Sequence, residues 1–186
     1  MNKVILIILI NFIYFTNIYA DERNLELKKL FKLLETNDTE TALNIEKKIW
    51  KIWSIHPSNN RKGFRLTDML AQGELMIIKK DLNEAIKMFS LIISIDSNWA
   101  EAWNKRATAL YLYGRYDESI SDIKKVLKIE PRHFGAIIGL SLNNIELKNY
   151  KKALKSCEEA KKIYPTMEAA NKMIPFIKEL IKGQKT

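Results

Sequence analysis

Two histidines, one cysteine and a handful of neighbouring charges are the residues of this 186-residue chain that could do chemistry. A general base or a metal site needs a histidine beside a nucleophile or a second ligand. His56 and His133 stand far apart, one followed by Pro57 and the other preceded by Arg132, both in connecting segments. The chain has no HExxH, no CxxC, no glycine-rich phosphate loop and no nucleophile elbow. Cys157 is the single cysteine, which excludes an intramolecular disulfide and a multi-cysteine metal site. At a core position it reads as a small buried hydrophobe. Glu158 and Glu159, adjacent on one helical face, read as solvated carboxylates rather than an acid–base pair. The expectation is a chain with no catalytic, cofactor or metal site.

Recognition by charge is the other chemistry on offer. Asn104-Lys105-Arg106 and Arg132-His133 fall at the same end of adjacent helices, where Lys105 and His133 would form a basic edge. The competing reading has Arg106 laying its stem at a helix crossing and Lys105 merely solvated. The formal net charge of +9 admits nucleic acid, anionic lipid or acidic proteins as partners. It also fits a surface simply rich in Lys, Ile and Asn.

The elements that must position these residues repeat in step. Residues 100–131 read AEAWNKRATALYLYGRYDESISDIKKVLKIEP, in which Ala107, Ser119 and Pro131 are spaced by twelve. A shift of 34 residues back gives Gly73, Ala85 and Ser97, and the same shift forward gives Ser141, Ala153 and Pro165. Large apolar residues keep the register: Met69, Trp103 and Ile137; Leu82, Tyr116 and Tyr150; Phe89, Ile123 and Cys157. Two helices joined by a tight turn approach closely only where facing side chains are small. Ala107 against Ser119 is predicted to be such a crossing, with Gly73–Ala85 and Ser141–Ala153 its equivalents. Gly114, Lys80-Asp81 and Lys148-Asn149 supply the turns, and Pro131 and Pro165 stop the second helices.

This pattern resembles the tetratricopeptide repeat (TPR) family, with Trp103, Ala107, Leu110, Ser119, Ile123 and Pro131 at the family's characteristic aromatic, small, large and proline positions. The resemblance covers residues 66–165 and implies an all-α, right-handed solenoid of antiparallel helix pairs, in units of about 66–99, 100–133 and 134–167. It further implies a non-catalytic module that holds a peptide or protein partner against the concave wall of first helices. On that wall the positions not spent on the core are Leu70, Glu74 and Ile77; Asn104, Thr108 and Tyr111; and Ile138, Leu142 and Ile145. Some members grip a terminal carboxylate with a clamp of basic and asparagine residues; Leu70, Glu74, Ile138 and Leu142 do not support one here.

Residues 1–20, MNKVILIILINFIYFTNIYA, have a short positive start at Lys3, an apolar run over Val4–Ile10 and a small residue at Ala20. That is the layout of a cleaved signal peptide, with an uncleaved membrane anchor as the alternative. No cysteine near residue 20 could carry a lipid. The expected location is the periplasm of a Gram-negative bacterium; nucleic acid is not an expected partner, and envelope lipid or a tethered scaffold remains the alternative. Residues 21–63 read as a degenerate helix pair, Leu27, Leu30, Phe31 and Leu34 on the first helix and Ala42, Ile45, Ile49 and Ile52/Trp53 on the second. Ala42 is nine residues out of phase with Ala85, the excess falling in Ser54–Gly63, and the expectation is a leading repeat that caps the stack. Residues 166–186 are predicted to form a capping helix, started by Thr166 and kinked or split at Pro175.

Overall fold

The computed structural model describes residues 22–36 and 38–184, so the expected export segment lies outside the described residues. These form helices and turns, with no strand among them. Helix α1 covers residues 22–34. It is followed by α2 (Thr39–Ser54), α3 (Arg61–Ile78), α4 (Leu82–Ile95), α5 (Ala100–Leu112), α6 (Tyr116–Ile129), α7 (Phe134–Glu146), α8 (Tyr150–Ile163) and α9 (Glu168–Gly183). None of these is long and apolar enough to cross a membrane.

Helices α3–α4, α5–α6 and α7–α8 are antiparallel hairpins, and each second helix also packs on the next first helix. The three turns are built alike. Gly114 has φ 85°, and Lys80 and Lys148 take the same left-handed conformation at 63° and 58°. In each turn the following amide reaches back to close the helix: Asp81 N to Met76 O, Arg115 N to Leu110 O and Asn149 N to Asn144 O.

At the crossings, smallness is only half of what the residues contribute. Ser119 Oγ donates to Ala107 O at 2.8 Å, and Ser141 Oγ donates to Ala153 O at 2.9 Å. The serines therefore tie the two backbones together as well as letting them approach. In the first hairpin a Cβ on Gly73 would lie 2.5 Å from the Phe89 ring, so the ring seats on bare backbone. Ala107→Leu should overpack its crossing and lower stability by about 1–3 kcal/mol, read as a drop in urea midpoint; an unchanged midpoint would refute close packing there.

Three expectations about the helices need correction. Pro175 does not split the terminal helix: α9 runs unbroken over Glu168–Gly183 with Pro175 inside it. The reason is orientation. Pro175 and Asn171, whose carbonyl loses its partner, are both exposed, so water can satisfy that carbonyl, while Ala170 and Ile177 anchor the buried face. Nor does Thr166 cap the helix, since Met167 occupies the N-cap position and makes no side-chain cap bond.

The third correction concerns α1–α2. Asp38 caps α2 through the amides of Glu40 and Thr41, but the pair does not stack on α3–α4 as a leading repeat. Leu27, Leu30, Phe31, Leu34, Ala42, Ile45, Ile49 and Trp53 share one buried cluster with Phe134, Ile137 and Ile138 of α7, Ala153 and Cys157 of α8, and Ile177 of α9. The pair is folded across the array instead of placed at its end. The loop after α2 makes this possible: it closes on Gly63, where a Cβ would fall 1.8 Å from Ser58 O. Asn60 then caps α3 by accepting from Gly63 N at 2.9 Å.

Candidate functional site

Helix α2 lies over the starts of α5 and α7, and two tryptophans one turn apart make the contact. Trp53 stacks on His133 with centroids 4.0 Å apart and planes 8° off parallel. Trp50 meets Phe134 edge-on at 5.5 Å, and a Cβ on Gly135 would lie 2.5 Å from its ring. Further along α2, Glu46 accepts a hydrogen bond from the Tyr164 hydroxyl at 3.0 Å. Burial and that neighbouring carboxylate push the Tyr164 phenol upward.

His133 is fully buried and has two structural duties. Its Nδ1 accepts from Ala136 N at 3.1 Å, capping α7. The proton is therefore on Nε2, which donates to Glu101 Oε2 at 3.0 Å. Burial alone would raise the Glu101 pKa, yet His133 and Lys105 more than offset it and hold the carboxyl below its ordinary value. Lys105 Nζ lies 3.2 Å from Glu101 Oε1 and 2.5 Å from Glu74 Oε1, and 5.7 Å from the Trp50 ring centroid. Burial opposes the Lys105 ammonium, but the two carboxylates keep its pKa above the usual lysine value.

The expected basic edge of Lys105 and His133 is therefore absent from the surface, because both residues are spent inside the seam. Arg106 grips Asp122 through Nε at 2.7 Å and Nη2 at 2.8 Å, and donates to Ser90 Oγ at 3.0 Å. Arg132 pairs with Glu130 at 2.8 Å and lies over the Phe31 ring at 4.2 Å.

His56, two residues past the end of α2, is held in the same manner. Its Nδ1 accepts from Ser58 N at 3.0 Å, so Nε2 carries the proton and donates to Asp96 Oδ2 at 2.9 Å. Beside it, Trp99 Nε1 donates to Trp53 O at 3.0 Å. Burial depresses the His56 pKa, outweighing the pull of Asp96. The unfolded chain then binds the proton more readily than the fold does, so stability falls as pH drops below about 6.5 and levels off beneath the depressed native value. The expected result is a lower urea midpoint at pH 5.5 than at 7.5, with a smaller decrease in His56→Gln; equal decreases would remove His56 as the cause.

Of the positions expected on the concave wall, Leu70, Asn104 and Ile138 are buried and His133 is wholly enclosed. Glu74, Ile77, Lys105, Tyr111, Leu142 and Ile145 are half-buried, and Thr108 is exposed. Beyond Trp50 the wall stays open as a narrow cleft of about 140 Å³ between α5 and α7, which Thr108, Tyr111, Ile138 and Leu142 help to line. Its floor holds residues not singled out from the sequence. Asn143 Nδ2 donates to Ser119 Oγ at 3.0 Å and Gly139 O at 2.8 Å, leaving Oδ1 buried with no partner. Gly135 and Gly139 also line the cleft, and nearby Tyr116 OH donates to Glu146 Oε2 at 3.4 Å. Burial raises the Tyr111 phenol, with Glu146 adding to it. Cys157 is buried 3.0 Å from Ser141 Oγ, and burial raises its thiol pKa, which disfavours the thiolate.

Stacked helical hairpins docked through small residues, with one wall of first helices left partly open, define an α-solenoid of the helix-repeat class. Residues 100–133 match the tetratricopeptide repeat model. A TPR repeat-containing protein of Rhizobium etli is 31% identical over 178 residues, 91% of this chain and 84% of that protein. The chain belongs to the tetratricopeptide repeat family. Among solved structures, MamA protein superposes with a TM-score of 0.59 at 20% identity, over 90% of this chain and 82% of its own. The first TPR of Spaghetti (RPAP3), bound to the HSP90 peptide SRMEEVD, gives 0.61 at 15% identity, over 63% and 93%.

Proposed function

We propose that this protein is a non-catalytic interaction module that holds an extended segment of a partner protein in the cleft between α5 and α7. The observation that carries this reading is the unpartnered Asn143 Oδ1 in a cleft that Ile138 and Leu142 share with Asn104, Thr108 and Ser119. A buried acceptor costs free energy until a donor reaches it, and a partner backbone N–H is a donor of suitable size. That the RPAP3 domain is bound to a peptide supports a peptide segment as the ligand here. Leu70, Ile138 and Leu142 offer no basic clamp here, so an apolar side chain beside a backbone donor fits better than a terminal carboxylate.

The module works outside the cytoplasm, on the reading of residues 1–20 as a cleaved export signal. A photo-crosslinking side chain at Tyr111 tests partner and place together. The expected result is a discrete adduct in the periplasmic fraction that disappears when Leu142→Lys is added. Adducts indifferent to Leu142→Lys would overturn the cleft, and adducts confined to the cytoplasm would overturn the location.

A further inference from the structure

Because α1–α2 is folded across the array, no helix among the described residues packs on the outer face of its first repeat. In the following repeats the equivalent face is covered, and small or polar residues sit there: Ala102 and Ala109 under the first hairpin, Ala136 and Asn143 under the second, all buried. One period earlier those positions are Asp68 and Leu75, both exposed. A charge and a bulky side chain in place of alanines do not suit the close approach of another repeat, so this face is not built to extend the stack.

What the face does carry is an apolar stripe with a cationic flank. Phe64, Asp68, Ala71, Leu75 and Ile78 recur at spacings of four, three, four and three along α3, which places them in one line. Phe64, Leu75 and Ile78 are 60%, 55% and 75% exposed, and Leu91 and Ile95 of α4 add exposed apolar area. Arg61 and Arg65 stand between the two helices, lining a cleft with Lys62 and Ile95. Lys79 and Lys80 stand at the far end of α3, both exposed. Arg106, Arg115 and Arg132 each face a carboxylate; among the described residues no acid pairs with Arg61 or Arg65.

We propose that this face docks the protein on an anionic phospholipid bilayer, the arginines taking headgroup phosphates while Phe64, Leu75 and Ile78 rest against the acyl boundary. Exposed apolar side chains flanked by unpaired cations are what an interfacial helix presents to such a surface. Asp68 in the stripe keeps the contact at headgroup depth. A second copy of the chain is a poor occupant, since antiparallel self-pairing along the stripe would set Arg65 beside the other copy's Lys79. The first turn of α1 also lies near this end: Arg23 Nη2 donates to Ile52 O at 2.9 Å, and Glu22 and Arg23 share a cleft with Ile55 and His56, a few residues before α3 starts.

This inference is independent of the α5–α7 cleft. Its test is sedimentation of the full chain with vesicles containing phosphatidylglycerol, compared with pure phosphatidylcholine vesicles. The parent chain should bind the anionic vesicles more tightly, and Arg61→Glu/Arg65→Glu and Leu75→Ser/Ile78→Ser should each weaken that binding about tenfold or more. All four positions are exposed, so circular dichroism should show unchanged helix content, and Leu142→Lys should bind vesicles as the parent does. Equal binding of the parent to both vesicle types overturns the proposal. So does undiminished binding by both double variants, which would assign adsorption to the segment ahead of residue 22.

Discussion

Trp53→Ala is expected to lower the stability of the whole molecule by about 3–5 kcal/mol. The indole is 3% exposed and touches three rings besides Trp50's: His133 in a stack at 4.0 Å, Phe134 at 5.1 Å and Phe31 at 5.9 Å. Removing it leaves a cavity that its neighbours cannot easily close, because His133 is pinned by both ring nitrogens and Phe134 is held by Trp50 and Tyr164. The loss should be global, since α1–α2 shares its apolar cluster with α7, α8 and α9. A seam that merely rested on the surface would melt alone and leave the repeats intact. Trp53→Phe is the control. The indole N–H is buried without a partner, so phenylalanine gives up area but no hydrogen bond, and its cost should be well under that of alanine. Urea denaturation followed by far-ultraviolet circular dichroism reads both variants. A cost below about 1 kcal/mol for alanine, or a separate early transition, would mean that the N-terminal pair does not share the cooperative core.

The repeats were legible because their determinants are local and periodic. Ala107 and Ser119, Ser141 and Ala153, and the turn residues Gly114, Lys80 and Lys148 each act within one hairpin, so a fixed spacing exposes them. The N-terminal pair was misplaced because its partners lie far along the chain: Trp53 meets His133, and Glu46 meets Tyr164. No period announces such contacts. Hints were present in the sequence: the nine-residue phase excess, two tryptophans on one face of α2, and Gly135 just where a first helix begins.

The concave wall was legible as a surface but not as a filled one. Its expected basic edge failed for a reason written nearer at hand, because Glu101 precedes Lys105 by four residues, one helical turn, and is positioned to neutralise it. Arg106 and Asp122, by contrast, lie on two helices of one hairpin, and their pairing needs the fold to be known. What remains open on the wall is the length beyond Trp50, so the same helix pair that braces the array also fixes which part of the wall is free for a partner.

Glu101→Ala should cost about 3–5 kcal/mol, close to Trp53→Ala but by a different route. The carboxylate is 1% exposed; its Oε2 accepts from His133 Nε2–H and from Asn104 Nδ2 at 3.3 Å, and its Oε1 forms an ion pair with the Lys105 ammonium at 3.2 Å. Its removal strands the His133 N–H inside a dry aromatic stack and leaves Lys105, largely withdrawn from water, with Glu74 alone. Glu101→Gln should cost less, because an amide oxygen can still accept from His133 while its NH2 cannot serve Lys105. Removing the cation as well separates the charge from the packing. In Glu101→Leu/Lys105→Met both buried charges go together, and the double variant should recover part of the loss, since an apolar pair avoids the desolvation that an orphaned charge cannot. The pH dependence has a defined sign. The folded pKa of Glu101 is held below its ordinary value near 4.5, so its stabilisation is fully present above that pH. It is lost as pH falls through the depressed native value. The stability difference between the parent and Glu101→Gln should therefore be constant near neutrality and shrink below pH 4.5; a difference that grew on acidification would mean that the carboxyl is protonated in the fold and that the seam is held by packing alone.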